Sequence, residues 1–396
     1  MKPISFIIPS RNNLKYLKQA YESIRKNSLI EHEICIADDA STDGTLEHVL
    51  VWMKRDKNIK LHVNKGPERL GHTILYDTLI NEYATHDRVM IFHADMYLCP
   101  NADKEVDKYL EPGKVVSLTR IEPPLHPDGP EKILMDFGIE PEEFQEDELL
   151  TYLNTTDTGA KPTRGIFAPW AIMKEDFQKI GGHDPLYAPQ SKEDSDIFNR
   201  FVLNGYELIQ TWKGFVYHMT CRGSRFKDGA MRNPAGQVFM KGRESSEWLE
   251  QNLRSTRNFI RKWGHMVKHD ELMFPIIPPK YDIGFVVKNC DYNMLKELEP
   301  WCSTIYVDCD YKNYIKDEQP NTDFDLFDRI KPYENEKNNN IIVEFNASKL
   351  DSNNFQIIVN LSDILEDSGE SGDMRLDIFK FNINSLKTYE KDLIKV

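Results

Sequence analysis

Short apolar runs alternate with helical patterns along the first hundred residues, and this alternation constrains the fold more than any other feature. Ile4 to Ile8 has the length and composition of a buried strand, and apolar residues at helical spacing follow from Leu14 to Ile24. The pattern repeats up to the apolar run Arg88 to Phe92. Strands alternating with helices at this pitch predict a mostly parallel sheet with right-handed crossovers. The sequence therefore predicts an α/β fold with helices flanking the sheet.

Polar residues stand directly after the predicted strands. In open parallel sheets, ligands bind beyond the carboxyl ends of the strands, so these positions have the first claim on function. The three stretches concerned are Pro9-Ser10-Arg11-Asn12, the run from Asp38 to Thr45, and His93-Ala94-Asp95.

Asp38 and Asp39 end a buried strand, where a carboxylate can accept a hydrogen bond from a base N–H or from ribose hydroxyls. Residues 41–43 also suit a turn and a helix N-cap, so the pair alone fits a structural role equally well. A lone acid such as Asp95 is usually a cap or an ion-pair partner. Its place at the ligand edge favours a divalent cation, Mn²⁺ or Mg²⁺, bridging a diphosphate.

Two further sites lie in the second half of this region. Glu193 and Asp194 precede an apolar helical face, where anionic residues also suit a helix start; for Asp196 that structural role is the preferred interpretation. His218 lies in a strand-like run, which is usual for a satisfied core histidine, but the nearby Arg222 would suit a phosphate group.

In combination, these stretches resemble the inverting glycosyltransferases of family 2, which have the GT-A fold. The resemblance covers about Lys2 to Gly264, roughly two-thirds of the chain. The run from Asp38 to Thr45 and the spacing from Gly181-Gly182 to Glu193-Asp194 carry most of its specificity. The matching stretches are residues 5–12, 36–45, 92–95, 180–184 and 193–196 with Arg200.

The resemblance implies a role for each matching residue. Asp38 corresponds to the carboxylate that holds the nucleotide base, usually uracil, and Pro9, Ser10 and Arg11 correspond to the loop against the nucleoside. Asp95 is the second acid of the D-x-D motif and a metal ligand, and His218 matches a further metal contact in some relatives. Asp194 matches the general base. Asp39, Ala94 and Gly182 lie in matching stretches and are expected to contact substrate.

One position departs from the family pattern, because His93 replaces the first acid of D-x-D. That position often meets ribose or metal, so the replacement bears on metal preference or on affinity for the nucleotide sugar. Around the motifs, Glu193 is a candidate for orienting the acceptor and Arg69 for contacting the nucleotide. Trp170 is a candidate for packing under a sugar ring, with an ordinary core position equally compatible.

The closely spaced prolines of residues 275–279 predict a linker. The expected organisation is a catalytic domain over residues 1–269, a linker over 270–280 and a second, smaller α/β domain over 281–396. Homo-oligomerisation, partner docking and an extended acceptor groove all remain open for this domain. The cationic and aromatic segment from Trp248 to His269 is compatible with a membrane-surface helix, but packing on the catalytic domain is the preferred interpretation.

Composition narrows the class of protein. The formal net charge of −14 argues against a broad nucleic-acid footprint, which needs clustered Lys and Arg. The six cysteines form no C-x-x-C pair, which is typical of reduced thiols in a cytoplasmic protein. A strand-like run already at Ile4 leaves no room for a signal peptide, and no apolar stretch is long enough to span a membrane.

The resulting prediction is a metal-dependent inverting glycosyltransferase that moves a sugar from a nucleoside diphosphate, with UDP expected, to a hydroxyl of a glycan or another acceptor. A non-catalytic module that binds a sugar nucleotide or glycan is one alternative. A sugar-phosphate nucleotidyltransferase is another, although it would normally use a Gly-rich, basic loop where Pro9 to Asn12 stands.

Overall fold

The chain has 396 residues, and its computed structural model describes residues 1–126, 128–157, 161–219, 230–240 and 245–389. The chain separates into two compact units. The first unit consists of Met1–Gln251 and His269–Pro275, and the second of Asn252–Lys268 and the chain from Ile276 onward. Each unit contains its own sheet and core.

A sheet of nine strands, counted over the described residues, forms the centre of the first unit. Its strands are β1 (Ile4–Ser10), β2 (His32–Asp39), β3 (Ile59–Asn64), β4 (Arg88–Ile91), β5 (Met96–Leu98), β6 (Lys114–Glu122), β7 (Lys132–Leu134), β8 (Trp170–Met173) and β9 (Glu207–His218). A separate hairpin consists of β10 (Ala230–Arg232) and β11 (Val238–Met240). The helices are α1 (Leu14–Asn27), α2 (Thr45–Arg55), α3 (Gly71–Thr78), α4 (Ala102–Tyr109), α5 (Glu146–Thr155), α6 (Lys174–Lys179), α7 (Glu193–Leu203) and α8 (Ser246–Trp263).

The strand order is β3-β2-β1-β4-β8-β6-β9-β5, with β7 beside β6. β1 runs parallel to β2 and β4, β2 to β3, and β6 to β7 and β9, whereas β8 runs antiparallel to both of its neighbours. The predicted α/β class and the mostly parallel sheet are therefore confirmed. The register pairs Ser10 with Asp38, so the polar residues that follow β1 and β2 meet at one edge.

Both faces of this sheet are covered, which explains the continuous apolar runs of its strands. On β1, Ile4, Phe6 and Ile8 pack into a core shared with α1, whereas Ile7 faces a second core that contains α3. Successive side chains of a strand point to opposite faces, so a strand covered on both sides needs apolar residues at every position. Polar residues that could bind a ligand are therefore expected at the ends of the strands.

The second unit contains a six-stranded sheet, counted over the described residues, in the order β14-β13-β12-β15-β17-β16. β12 to β15 pair in parallel, and β17 and β16 complete one side in antiparallel orientation. This confirms the predicted second α/β domain. Its strands are β12 (Ile283–Lys288), β13 (Thr304–Val307), β14 (Ile330–Pro332), β15 (Ile341–Asn346), β16 (Gly372–Leu376) and β17 (Phe379–Ile383), and its helices are α9 (Tyr292–Leu298), α10 (Lys312–Glu318), α11 (Leu326–Arg329), α12 (Phe355–Val359) and α13 (Leu361–Ser368).

The C-terminal part of α8 packs in this second unit, where the sequence interpretation expected it on the catalytic domain. Ile260 joins the core of the second unit, and the fully buried Arg261 donates to Glu299 and Glu318. The segment is helical, as the sequence predicts, but its cationic and aromatic residues do not specify which apolar surface the helix meets. None of the helices over the described residues has the length and apolar character needed to cross a membrane.

Candidate active site

A cavity of about 840 Å³ opens in the first unit at the edge where β1, β2 and β4 end. Its position follows from the topology, because the carboxyl ends of these neighbouring parallel strands meet there. The predicted site residues that line it are Pro9, Ser10, Arg11, Asp39, Arg69, His93, Ala94, Asp95, Glu193 and His218. Residues more than a hundred positions apart in sequence thus share one cavity.

Three of the lining residues could hold a metal ion. His93, Asp95 and His218 each offer one ligand atom, and these atoms all lie within 4.8 Å of one another. The antiparallel pairing of β5 with β9 brings them together, because Met96 is in register with His218 and Met219 N–H donates to the carbonyl of Asp95. The His218 Nε2 lies 3.4 Å from Asp95 Oδ1.

Glu122, at the end of β6, contacts the other nitrogen of the His218 ring. Its Oε2 lies 3.2 Å from His218 Nδ1. Burial alone would lower the pKa of His218, but the carboxylates of Asp95 and Glu122 raise it to about 9. The pKa of Glu122 is depressed despite its burial, mainly because it is bonded to His218 and close to Arg120. Glu122 therefore fixes the ring with Nε2 turned towards Asp95.

The chemistry of this donor set fits a divalent cation. Burial lowers the pKa of His93 to about 3, so its imidazole is neutral and keeps a lone pair, whereas His218, with its raised pKa, would release a proton on binding a cation. Two imidazoles and one carboxylate form a mixed nitrogen and oxygen donor set. Mg²⁺ prefers oxygen ligands alone, so this set favours a transition ion such as Mn²⁺ over Mg²⁺. Metal-ligating histidines typically bond a carboxylate through their other ring nitrogen, as His218 does with Glu122.

The opposite side of the cavity is shaped by Asp39, whereas Asp38, the residue expected to hold the nucleotide base, does not line it. Asp38 is buried, accepts the Ser41 amide and is not among the lining residues. Asp39 accepts the amides of Leu70 and Gly71 and thereby holds the loop that carries Arg69. Side chains alternate along a strand, so only one of two adjacent acids can face the cavity.

The first turn of α7 supplies the acidic wall. Glu193 is buried, and its Oε1 lies 2.7 Å from Nε2 of His72, which also lines the cavity. Asp194 is half-buried beside it and is not among the lining residues. Burial and the charge of Glu193 raise the pKa of Asp194 to about 6, and Arg120, on the cavity wall, acts in the opposite direction.

Three carboxylates affect the pKa of one phenol, that of Tyr76. Burial raises the pKa of Tyr76 well above its usual range, and nearby carboxylates raise it further. The contributing residues are Asp194, Glu193 and Asp95. Tyr76 lines the cavity, so Asp194 lies close enough to influence a cavity side chain.

Two predicted substrate contacts are structural. Trp170 is fully buried among Phe177, Phe198 and Phe201 and does not line the cavity, which excludes stacking on a sugar. Gly182 has φ +67°, and a Cβ there would lie 1.9 Å from Asp77 Oδ2. This glycine is needed for a close approach within the protein. Arg222 lies outside the described residues.

A buried ion pair explains the spacing of the motif that contains Gly182. Arg200 Nε donates to Asp196 Oδ2 at 2.8 Å, and both side chains are fully buried. The remaining guanidinium nitrogens donate to the carbonyls of Ile180 and Gly182. Arg200 therefore fastens the glycine turn to α7, and the structural role of Asp196 is this ion pair rather than the helix start alone.

Sequence reasoning missed several lining residues. His72 and Glu122 occupy positions with no local signal, because their partners are 121 and 96 residues away in sequence. Trp248, at the start of α8, and Phe167 also line the cavity, whereas Trp170 occupies the core position that the sequence left equally open.

Part of the first unit is similar to known proteins. Residues 5–171 match the sequence profile of Glycosyl transferase family 2. A segment of 73 residues is 41% identical to abequosyltransferase RfbV of Salmonella typhimurium, covering 17% of this chain and 22% of that protein. The chain thus matches about a fifth of the length of this curated relative.

Solved structures show a partial likeness. GalNAc-T7, crystallised with UDP, GalNAc and Mn²⁺, gives a TM-score of 0.42 at 15% identity, over 55% of this chain and 43% of that chain. Mannosyltransferase PcManGT from Pyrobaculum calidifontis, in complex with GDP-Man and Mn²⁺, gives 0.40 at 19% identity, over 55% and 57%.

The profile match begins in β1 and ends in β8, and it includes the strand ends that carry Arg11, Asp39 and Asp95. It stops before α7 and β9, which supply Glu193 and His218. The similarity to glycosyltransferase family 2 thus covers residues 5–171 of this chain.

Proposed function

We propose that this protein is a metal-dependent, inverting glycosyltransferase that moves a sugar from a nucleoside diphosphate, with UDP expected, to a hydroxyl of a glycan or another acceptor. One observation carries the proposal: His93, Asp95 and His218 converge within 4.8 Å in a cavity whose wall also contains Glu193. A cation site and an acidic wall in one cavity are the two parts that this reaction needs.

Displacement of a nucleoside diphosphate from an anomeric carbon leaves negative charge on the diphosphate. A divalent cation supplies Lewis-acid stabilisation of that charge when bound. His93, Asp95 and His218 would hold it, and Glu122 orients the His218 ring. Mn²⁺ is the expected ion and Mg²⁺ the weaker one, because two of the three ligand atoms are nitrogens.

The nucleoside is assigned to the Asp39 side of the cavity. Arg11 lines this side, and its Nη1 donates to the Asp39 carbonyl at 2.7 Å. Ser10 contributes a buried hydroxyl without a hydrogen-bond partner among the described residues. A base or ribose offers donors and acceptors for these groups, and the nearby Arg69 carries positive charge for a phosphate.

Asp194 is assigned as the general base. Inversion requires one base to take the proton of the attacking hydroxyl, and a base is most effective when its pKa lies near the working pH. The pKa of Asp194 is raised to about 6 by burial and by Glu193. The pKa of Glu193 is lowered, since its pairing with His72 outweighs its burial. Environments that separate two carboxylates in this way typically assign them different roles.

A thermal-shift screen tests the proposal. UDP, GDP, UDP-glucose, UDP-N-acetylglucosamine and GDP-mannose are each added with Mn²⁺ or Mg²⁺, since a ligand that binds only the native state raises the Tm. We expect stabilisation by UDP or a UDP-sugar that depends on Mn²⁺. Release of UDP in the presence of acceptor separates an enzyme from a module that only binds. Absence of any nucleotide effect with either metal contradicts the proposal.

A further inference from the structure

The N-termini of α3 and α7 are tied together at the cavity by several contacts. Gly71 packs so closely against Pro189 that a Cβ would lie 2.1 Å from the Pro189 carbonyl oxygen. Thr73 Oγ1 donates to the same carbonyl at 3.3 Å. His72, between these two residues, contacts Glu193 at 2.7 Å. The contacts of Gly71 and Thr73 with Pro189 therefore hold the backbone on both sides of His72.

The backbone leading into Glu193 is held in an unusual conformation. Ser191 and Lys192 have φ values of +83° and +73°, which non-glycine residues rarely adopt. Such strain persists where the surrounding contacts determine the conformation, and it is concentrated at functional sites. These two residues directly precede Glu193, the first residue of α7.

The two carboxylate oxygens of Glu193 differ in their contacts. Its Oε1 is engaged by His72, whereas Oε2 is buried and has no hydrogen-bond partner among the described residues. Leaving a buried acceptor unsatisfied is unfavourable, so such an atom calls for a donor from outside the protein. Glu193 lines the cavity, which makes a ligand in the cavity the available source.

We infer that Glu193 binds a sugar hydroxyl through Oε2 and that His72 is the positioning residue that holds this carboxylate in place. The inference rests on the proposed function, because it assumes a sugar substrate in the cavity. Its chemistry is that of a hydroxyl donating to a carboxylate, which is a strong, charge-assisted hydrogen bond. The electrostatics agree, since pairing with His72 keeps the pKa of Glu193 low and leaves proton acceptance to Asp194.

The hydroxyl can belong to the donor sugar or to the acceptor. A donor-sugar contact strengthens binding of a nucleotide sugar but not of the nucleotide alone. An acceptor contact lowers the KM for the acceptor and leaves donor binding unchanged. Measuring both quantities in the same variants identifies the source.

The test uses His72→Leu, which removes the contact to Oε1, and His72→Gln, whose amide N–H can restore it. His48→Leu is the matched control, because His48 is a half-buried histidine on α2 that packs on Trp52 and does not line the cavity. Dissociation constants are measured for UDP and for UDP-glucose or UDP-N-acetylglucosamine with Mn²⁺. Acceptor KM and kcat are measured with p-nitrophenyl glucoside, galactoside and mannoside.

In His72→Leu we expect about a tenfold weaker affinity for the UDP-sugar, or about a tenfold higher acceptor KM, with kcat within about threefold and UDP affinity unchanged. His72→Gln should recover most of the loss, and His48→Leu should match the wild type. Unchanged sugar affinity and KM in His72→Leu overturn the inference, and so does an equal loss for UDP. A wild type that binds UDP-sugars yet shows no effect of His72→Leu refutes only this inference, whereas a wild type without sugar-nucleotide binding refutes the proposed function.

Discussion

Glu193 and Asp194 are adjacent in sequence, yet their surroundings change the pKa values of their carboxyl groups differently. Both lie in the first turn of α7, where backbone N–H groups favour negative charge. Their pKa values nevertheless move in opposite directions, because His72 stabilises the ionised form of Glu193 while burial and the charge of Glu193 disfavour the ionised form of Asp194. The local sequence Glu-Asp carries no sign of this difference.

Replacing Asp194 by Asn should reduce turnover by about 10²–10⁴-fold while leaving UDP-sugar affinity near normal, because only proton acceptance is lost. In the wild type, the base must be ionised, so turnover should fall as the pH drops through about 6, the raised pKa of Asp194. Initial rates between pH 4.5 and 8 measure both effects. Asp147→Asn, an exposed acid in the first turn of α5, is the matched control. Retained turnover in Asp194→Asn would remove this residue as the base.

Glu122→Gln tests the carboxylate behind His218. The amide keeps the shape and one hydrogen bond but loses the negative charge that orients the imidazole, and changes of this kind typically cost roughly 10–100-fold in metal affinity. Mn²⁺ affinity, titrated calorimetrically in the presence of UDP, should weaken accordingly. Glu111→Gln serves as the control, since Glu111 is exposed and pairs with Lys114 near the start of β6. Equal Mn²⁺ affinity in Glu122→Gln and wild type would show that Glu122 has no part in the site.

At the scale of elements, α7 is held by a buried residue, Arg200, that does not line the cavity. Arg200 joins Asp196 to the carbonyls of the turn before the helix, entirely within the core. Breaking a buried pair from one side leaves an uncompensated charge, which costs about 3–5 kcal/mol. Arg200→Met should therefore lower the free energy of unfolding by about that amount, measured by denaturant titration.

The double variant Asp196→Leu/Arg200→Met is the control for that prediction. It removes the uncompensated charge, so it should recover part of the stability lost in Arg200→Met. The carbonyls of Ile180 and Gly182 still lose their donor, and for this reason recovery should be incomplete. A double variant no more stable than Arg200→Met would mean that the carbonyl contacts, not the ion pair, account for the loss.

The sequence predicted elements better than contacts. Periodicity located β1, β2 and β4, and the rule that ligands lie beyond strand ends brought Arg11 and Asp95 to the cavity. The sequence did not distinguish Asp38 from Asp39. Neighbouring side chains of a strand point to opposite faces, so the exact position of each residue in the strand would have to be known. The position of the Trp170 side chain could not be predicted for a related reason. The sequence around a tryptophan in β8 is the same whether its side chain points to the cavity or to the core, where Trp170 lies.

At the scale of the whole molecule, the chain builds two separate cores, and only the first contains the proposed site. α8 begins in the first unit and ends in the second, where Arg261 is bonded to Glu299. The linker prediction from residues 275–279 detected the change of composition. It could not reveal that residues 252–268, which precede the linker, group with the unit that follows it.

A ligand that binds one unit should stabilise that unit selectively. With UDP and Mn²⁺ at 100 times the dissociation constant, the native state gains about 2.7 kcal/mol, and a unit of this size should unfold roughly 5–10 °C higher. Differential scanning calorimetry of the full chain should show this shift in the transition that contains the first unit. Asp95→Asn should abolish the shift, because it removes the carboxylate proposed to hold the metal ion. Arg261→Leu should lower the stability of the second unit yet preserve the shift, since Arg261 takes no part in the cavity. Loss of the shift in Arg261→Leu would show that nucleotide binding depends on the second core, and the site could then no longer be assigned to the first unit alone.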